Sequence, residues 1–163
     1  MGLIMAFAAQ ESAILGHHDE PAYNGAVLMK QSAVAASFSR QAAEYEIRPA
    51  NGALATSAFS GGNQQKIVLA RELDRNPDVL LVGQPTRGVD IGAIEFVHRR
   101  LVALRDAGKA LLLVSVELDE IMALADRILV MHDGRIVGDM LRAAATEQTL
   151  GLLMAGVTEL SPT

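Results

Sequence analysis

An α/β domain built on a parallel strand–helix–strand unit is the fold class this sequence predicts, and three observations predict it. Val79-Leu80-Leu81-Val82 and Ala110-Leu111-Leu112-Leu113-Val114-Ser115-Val116 are short apolar runs, the pattern of strands covered on both faces. Between them, Ile94, Val97, Leu101 and Leu104 fall on one helical face of residues 91–107, and Gly108 closes the segment. Strand, helix and strand joined by short connections form a βαβ unit whose strands lie parallel.

The remaining elements follow from the same reasoning. Residues 16–25, from Gly16-His17-His18-Asp19-Glu20-Pro21 to Asn24-Gly25, read as loop. From about Lys30 to Ile47, Val34, Phe38, Ala42 and Tyr45 form a helical stripe. Arg48-Pro49 ends it, because proline lacks an N–H and disfavours helix in the residue before it. A second helix runs from Gln64 to Leu73, and Glu117 to Ala125 reads as a short one. Ile128-Leu129-Val130-Met131 and Arg135-Ile136-Val137-Gly138 flank a His132-Asp133-Gly134 turn, which predicts a hairpin. A last helix near Glu147 to Ala155 precedes frayed terminal residues.

Composition narrows the function classes. At 163 residues the chain is one domain long and can bury a core. Half of it is hydrophobic but only 4% is aromatic, so an aliphatic core is expected. A net charge of -5, with basic residues scattered singly or in pairs, argues against a nucleic-acid partner, which would require a basic face. Zero cysteines exclude a disulfide framework and a thiolate metal site, consistent with a cytosolic protein. The apolar start, Met1 to Ala9, lacks the basic region of a signal peptide. The stretch Ala110–Val116 falls far short of the ~20 residues of a membrane helix. His17-His18 beside Asp19 and Glu20 are expected to be solvated loop residues, not metal ligands, with His98 on a helix surface and His132 in the hairpin turn.

Ser60-Gly61-Gly62 stands immediately before a helix. Serine caps a helix start, glycines allow a phosphate to approach the backbone, and the free N–H groups attract anions. The octet Phe59-Ser60-Gly61-Gly62-Asn63-Gln64-Gln65-Lys66 resembles the signature motif of ATP-binding cassette (ABC) ATPases, with Phe for the usual Leu and Asn for the usual Gln. Val68-Leu69-Ala70-Arg71-Glu72-Leu73 through Asn76-Pro77 resembles the helix that leads into the Walker B strand of that family. Pro85-Thr86-Arg87-Gly88-Val89-Asp90 resembles its D-loop, and Val114 to Gly138 its switch region and closing hairpin. The resemblance covers roughly residues 55–140 in order. Within the family, Ser60–Lys66, Gln84–Gly88 and Gly92-Ala93-Ile94-Glu95 are most similar to the second ATPase domain of importers for simple sugars and nucleosides. The Gln84-Pro85 pair and the His18–Pro21 stretch favour the nucleoside branch.

This resemblance implies a partial P-loop NTPase fold: a parallel βαβ sheet with a helical subdomain and a C-terminal β-hairpin. It divides the chain into a helical-subdomain portion at 1–58, the signature, degenerate Walker B and switch regions at 59–140, and a terminal helix and tail at 141–163. Ser60, Gly61, Gly62, Asn63 and Gln64 would face a nucleotide held by another domain, with Asp90 in the D-loop.

The hydrolytic positions depart from the family pattern. Aligned on Pro85, Gly83 stands where the Walker B Asp belongs and Gln84 where the catalytic Glu belongs, while Val116 replaces the switch His. Phosphoryl transfer requires a carboxylate for Mg²⁺ and a residue to direct water. Glycine offers no ligand, and glutamine lacks basicity. No catalytic residue is intact and no metal site is expected. A P-loop is also absent: only Gly108-Lys109 pairs the needed residues, with Ala103 and Ala110 at the flanking positions. The chain therefore reads as the C-terminal portion of an ABC ATPase domain.

The resemblance implies an ATP-binding subunit of an ABC importer that donates its signature in trans. ATP and Mg would be bound mainly by a partner ATPase domain, and transmembrane permease subunits would meet the helical subdomain. The expected location is cytoplasmic, peripheral on the inner face of the cell membrane. Three other readings follow from the same residues. One is an active ATPase using Gln84, with Asp90 or Glu117 assisting Mg²⁺; another is a non-functional truncated product. A DNA-repair or chromosome ATPase head is disfavoured by the acidic charge and the lack of coiled-coil heptads.

Overall fold

The computed structural model describes residues 2–157, so the frayed end expected at the carboxy terminus lies outside the described residues. The chain forms two compact units, one comprising the residues up to Asp78 with Thr86–Arg100, the other Val79–Pro85 with the residues from Leu101 onward.

Three helices and the amino-terminal half of a fourth build the first unit: α1 (Ala9–Ser12), α2 (Gln31–Glu44), α3 (Gly61–Leu73) and α4 (Ile91–Asp106). The helical stripe read from sequence is the buried face of α2: Val34, Phe38 and Ala42 are each at most 1% exposed. Phe38, Ala42, Tyr45 and Ile47 pack with Phe59, Ile67, Ala70 and Phe96. This core mixes aliphatic side chains with four of the chain's few aromatics, whereas the core of the second unit is aliphatic as composition suggested. Phe38 meets Phe59 edge-on at 6.5 Å and Tyr45 meets Phe96 at 6.3 Å, geometries that add about 0.5–1.5 kcal/mol each beyond burial.

The apolar start of the chain belongs to the same unit. The Ala9 N–H donates to Leu54 O at 2.8 Å, and the buried hydroxyls of Ser12 and Thr56 lie 2.8 Å apart. His17, expected in solvent, is 7% exposed instead. Its Nδ1 accepts from Arg75 Nε at 3.2 Å, and Arg75 also reaches Glu20 Oε1 at 3.4 Å, so the guanidinium anchors the imidazole inside.

The second unit carries the βαβ strands. Parallel strands β1 (Val79–Gly83) and β2 (Ala110–Val114) pair from Val79 with Ala110 to Gly83 with Val114. Ser115 and Val116, expected in the strand, lie beyond its end. Coverage also differs from expectation: Val79, Leu81, Leu112 and Val114 are 65%, 75%, 53% and 59% exposed. Alternate residues are half-buried, so one face packs and the other is bare among the described residues.

Helix α5 (Leu118–Leu124) leads to the antiparallel pair β3 (Arg127–His132) and β4 (Arg135–Leu141), and α6 (Glu147–Met154) follows. Asp133 and Gly134, both at positive φ (50° and 74°), form the two-residue turn, as a hairpin of right-handed twist requires. Ile128 and Val130 bury against Leu150 and Leu153 of α6, with Ile121 and Met122 of α5 alongside. A Cβ at Gly138 would come within 2.7 Å of Leu153 Cδ1, so a larger residue there would push the leucine methyl aside.

Candidate nucleotide-facing site

At the start of α3, Ser60 has extended backbone (φ -61°, ψ 158°), and its Oγ accepts from the Asn63 N–H at 3.4 Å. This satisfies one of the helix-start donors. The N–H groups of Gly61 and Gly62 have no partner within the helix, and the aligned peptide dipoles place partial positive charge there. Ser60 and Gly61 are exposed. The arrangement therefore offers a hydroxyl and backbone donors to an approaching anion.

The structure brings Asp90, the acid expected in the D-loop, to this helix start. Asp90 Oδ1 accepts from the Ala93 N–H at 2.9 Å and so caps α4. Its other oxygen, Oδ2, would lie 2.8 Å from a Cβ placed on Gly62, and Ala93 Cβ would lie 2.9 Å away. A Cβ on Gly61 would come 3.3 Å from Gly88 O. Gly62 is thus demanded by packing against the D-loop, in addition to any approach of phosphate.

Gln64 turns away from this surface. Expected among the nucleotide-facing residues, it is 8% exposed, and its Nε2 donates to Phe59 O at 2.8 Å and Thr56 O at 3.4 Å. It braces the segment before Ser60 from beneath. Asn63 also engages its neighbours: Oδ1 accepts from the Arg48 N–H at 2.7 Å and Nδ2 donates to Ser60 Oγ at 2.9 Å. The Arg48 contact escaped sequence reasoning because it joins positions far apart in the chain.

Gly83, Gln84 and Val116 all belong to the second unit. Gly83 is the last residue of β1, and a Cβ built on it meets nothing within 4 Å. The Gln84 N–H donates to Val114 O at 2.8 Å, and φ is +50°, a left-handed conformation that most residues adopt only at a cost. Val116 is 62% exposed and aliphatic. Mg²⁺ is a hard cation that selects carboxylate oxygens; a glycine, an amide and a valine do not fit it. Among the described residues, no group of three or more His, Asp or Glu side chains could hold a metal.

Lys30 and Lys66 are both engaged within the protein. Lys30 Nζ donates to Pro21 O at 2.8 Å, and Lys66 Nζ donates to Glu46 O at 3.2 Å while lying 4.5 Å from the centre of the Phe96 ring. The second unit has a cavity of about 890 Å³. Leu113, Leu118, Ile121, Ile128 and Val130 contribute to a mostly apolar wall, with Arg105, Lys109 and Arg127 also lining it.

No protein-family model matches the chain. It is 46% identical over 158 residues to the guanosine import ATP-binding protein NupO of Bacillus subtilis, a match that takes in 97% of this chain and 31% of that protein. The nucleoside import ATP-binding protein NupA of Lactococcus lactis is 43% identical over 155 residues, covering 95% of this chain and 31% of the relative. The chain thus spans about a third of the length of these curated relatives, in their C-terminal part. Among solved structures, the dimeric bacterial ABC transporter cassette MJ0796 superposes with a TM-score of 0.68 at 23% identity, covering 86% of this chain and 59% of the cassette. That likeness establishes the fold.

Proposed function

Because the chain is a member of the ATP-binding cassette family, corresponding to the C-terminal part of import ATP-binding proteins, we propose that it is the signature-bearing part of an importer ATPase whose own hydrolytic site is degenerate. It would present Ser60, Gly61 and Gly62 to the phosphates of ATP held by a partner ATPase domain. Nucleosides or simple sugars are the proposed cargo, on the strength of the guanosine and nucleoside importers that it resembles. Transmembrane permease subunits would meet the helical portion at 1–58, on the cytoplasmic face. No helix among the described residues is long and apolar enough to cross a membrane.

One observation carries the reading. An exposed, capped helix start that fits an anion coexists with a strand end that has no carboxylate at Gly83 or Gln84. ATP, when bound by the partner, supplies the phosphoanhydride; this chain supplies donors. The Ser60 hydroxyl and the N–H groups at the start of α3 would stabilise negative charge on the terminal phosphate without moving, because the cap already fixes them. Asp90 packs its carboxylate against Gly62 beside this helix start.

The test is mutagenesis in the complete transporter. Ser60→Ala should lower ATP turnover about tenfold or more, as loss of a positioned donor to developing charge does. Gln84→Ala should leave turnover within a factor of two. Turnover abolished by Gln84→Ala would show that this chain runs its own site and would overturn the proposal.

A further inference from the structure

We infer that Asn63 is a positioning residue: its side chain holds the Ser60 hydroxyl as a hydrogen-bond donor toward phosphate and ties that donor to the backbone at Arg48. The inference rests on the reading of Ser60 given above and assigns the part played by its neighbour.

A serine hydroxyl has one O–H to donate and two lone pairs with which to accept. Ser60 Oγ accepts from the Asn63 side-chain Nδ2–H at 2.9 Å and from the Asn63 backbone N–H at 3.4 Å. Both lone pairs are therefore engaged on the helix side. The single O–H is left over, on a residue that is exposed. An isolated cap serine could instead turn its proton inward or accept from solvent; this one is held as a donor.

The polarity of that arrangement depends on which way the Asn63 amide faces. Its Oδ1 lies 2.7 Å from the Arg48 N, and a backbone N–H can only donate. A flipped amide would set two donors against each other, so Arg48 fixes the orientation of Asn63, and Asn63 fixes Ser60. Pro49 follows Arg48 and has no N–H of its own to compete. Asparagine fits both contacts at once. An aspartate would keep the Arg48 bond but present an acceptor to Ser60, drawing its proton inward.

The experiment uses the complete transporter, comparing Asn63→Ala, Asn63→Asp, Ser60→Ala and the two double variants for ATP turnover, with thermal melts of each. Asn63→Ala should lower kcat several-fold with little change in KM, and the double variant with Ser60→Ala should match Ser60→Ala alone, the non-additivity of groups that act as one. Asn63→Asp should melt within about 2 °C of the parent, since the Arg48 bond and the cap survive. Its turnover should nevertheless fall to the Ser60→Ala level, with no further loss once Ser60 is alanine. Amide exchange at Arg48 should quicken in Asn63→Ala and not in Asn63→Asp.

Multiplying effects of Asn63→Ala and Ser60→Ala, or full turnover in Asn63→Asp, would overturn the inference while leaving the proposed function standing. An Asn63→Asp loss that persists in the Ser60→Ala background would mean that its charge repels the nucleotide directly, which also overturns it. If Ser60→Ala itself leaves turnover unchanged, the proposed function fails first.

Discussion

Replacing Gly62 by alanine tests the junction of signature and D-loop most directly. The new Cβ would stand 2.8 Å from Asp90 Oδ2 and 2.9 Å from Ala93 Cβ, well inside the ~3.5–4.0 Å of a relaxed carbon contact. Neither neighbour is free to leave. Asp90 Oδ1 holds the Ala93 N–H at 2.9 Å, so retreat of the carboxylate weakens the cap of α4, worth about 1 kcal/mol. Overpacking costs about 1–3 kcal/mol, and the higher helix propensity of alanine returns up to ~1 kcal/mol. The net expectation is a loss of about 1–3 kcal/mol, which for a chain of this length lowers the melting midpoint by about 3–9 °C. Circular-dichroism melts of the whole chain measure it. Gly83→Ala is the control, since its Cβ meets nothing within 4 Å and the change should stay within about 0.5 kcal/mol. Asp90→Ala combined with Gly62→Ala should cost less than the sum of the two. Equal melts for Gly62→Ala and the parent would refute the packing argument.

Three further outcomes are expected. Gly83→Asp with Gln84→Glu should fold as the parent does and raise ATP hydrolysis in the complete transporter; unchanged hydrolysis would mean that more than the two acids is missing. Leu81→Lys and Val114→Lys should leave the stability of the isolated chain within about 0.5 kcal/mol and reduce binding of an apolar fluorescent dye, because both side chains are exposed on the bare sheet face; a large drop in stability would show that the face is covered in solution. Arg127 Nε and one of its terminal nitrogens bond the Asp139 carboxylate across the hairpin at 2.8 and 2.6 Å, and this bonding holds the Asp139 carboxyl below its ordinary value. A depressed carboxylate stabilises the fold above its unfolded pKa, and that contribution fades as pH falls through the lower folded value. Acid titration should therefore loosen the hairpin only below the ordinary aspartate range, and Arg127→Ala, by removing the cause of the depressed value, should abolish that contribution and flatten the acid limb of the stability profile. An unchanged acid profile in Arg127→Ala would count against the pair.

Much of the fold was legible because local periodicity carries it. The stripe Val34, Phe38, Ala42 marks α2, and Asp133-Gly134 marks the hairpin turn, since both depend on neighbours in sequence. Strand coverage was not legible: a run such as Ala110–Val114 looks the same whether one face or two are packed. Helix α1 escaped for a different reason. Four residues are too few for a periodic signal, and its place is set by partners such as Leu54 and Thr56, far along the chain. At the site, Ser60 caps α3 as its place before the helix implied, whereas the capping of α4 by Asp90 was not read from sequence. The inward turn of Gln64 and the Asn63–Arg48 bond required coordinates, because a polar side chain on a first helical turn can face either way.

The open space around Gly83 also bears on how such a chain changes over generations. A core that loses a side chain normally collapses around the gap, and later restoration meets a closed door. Here a Cβ on Gly83 meets no neighbour within 4 Å among the described residues, so a side chain placed there displaces none of them. One-base changes connect glycine codons with aspartate codons and glutamine codons with glutamate codons. On the proposed reading, the end of β1 is therefore a position that acids can reach by small mutational steps, without first undoing packing among the described residues.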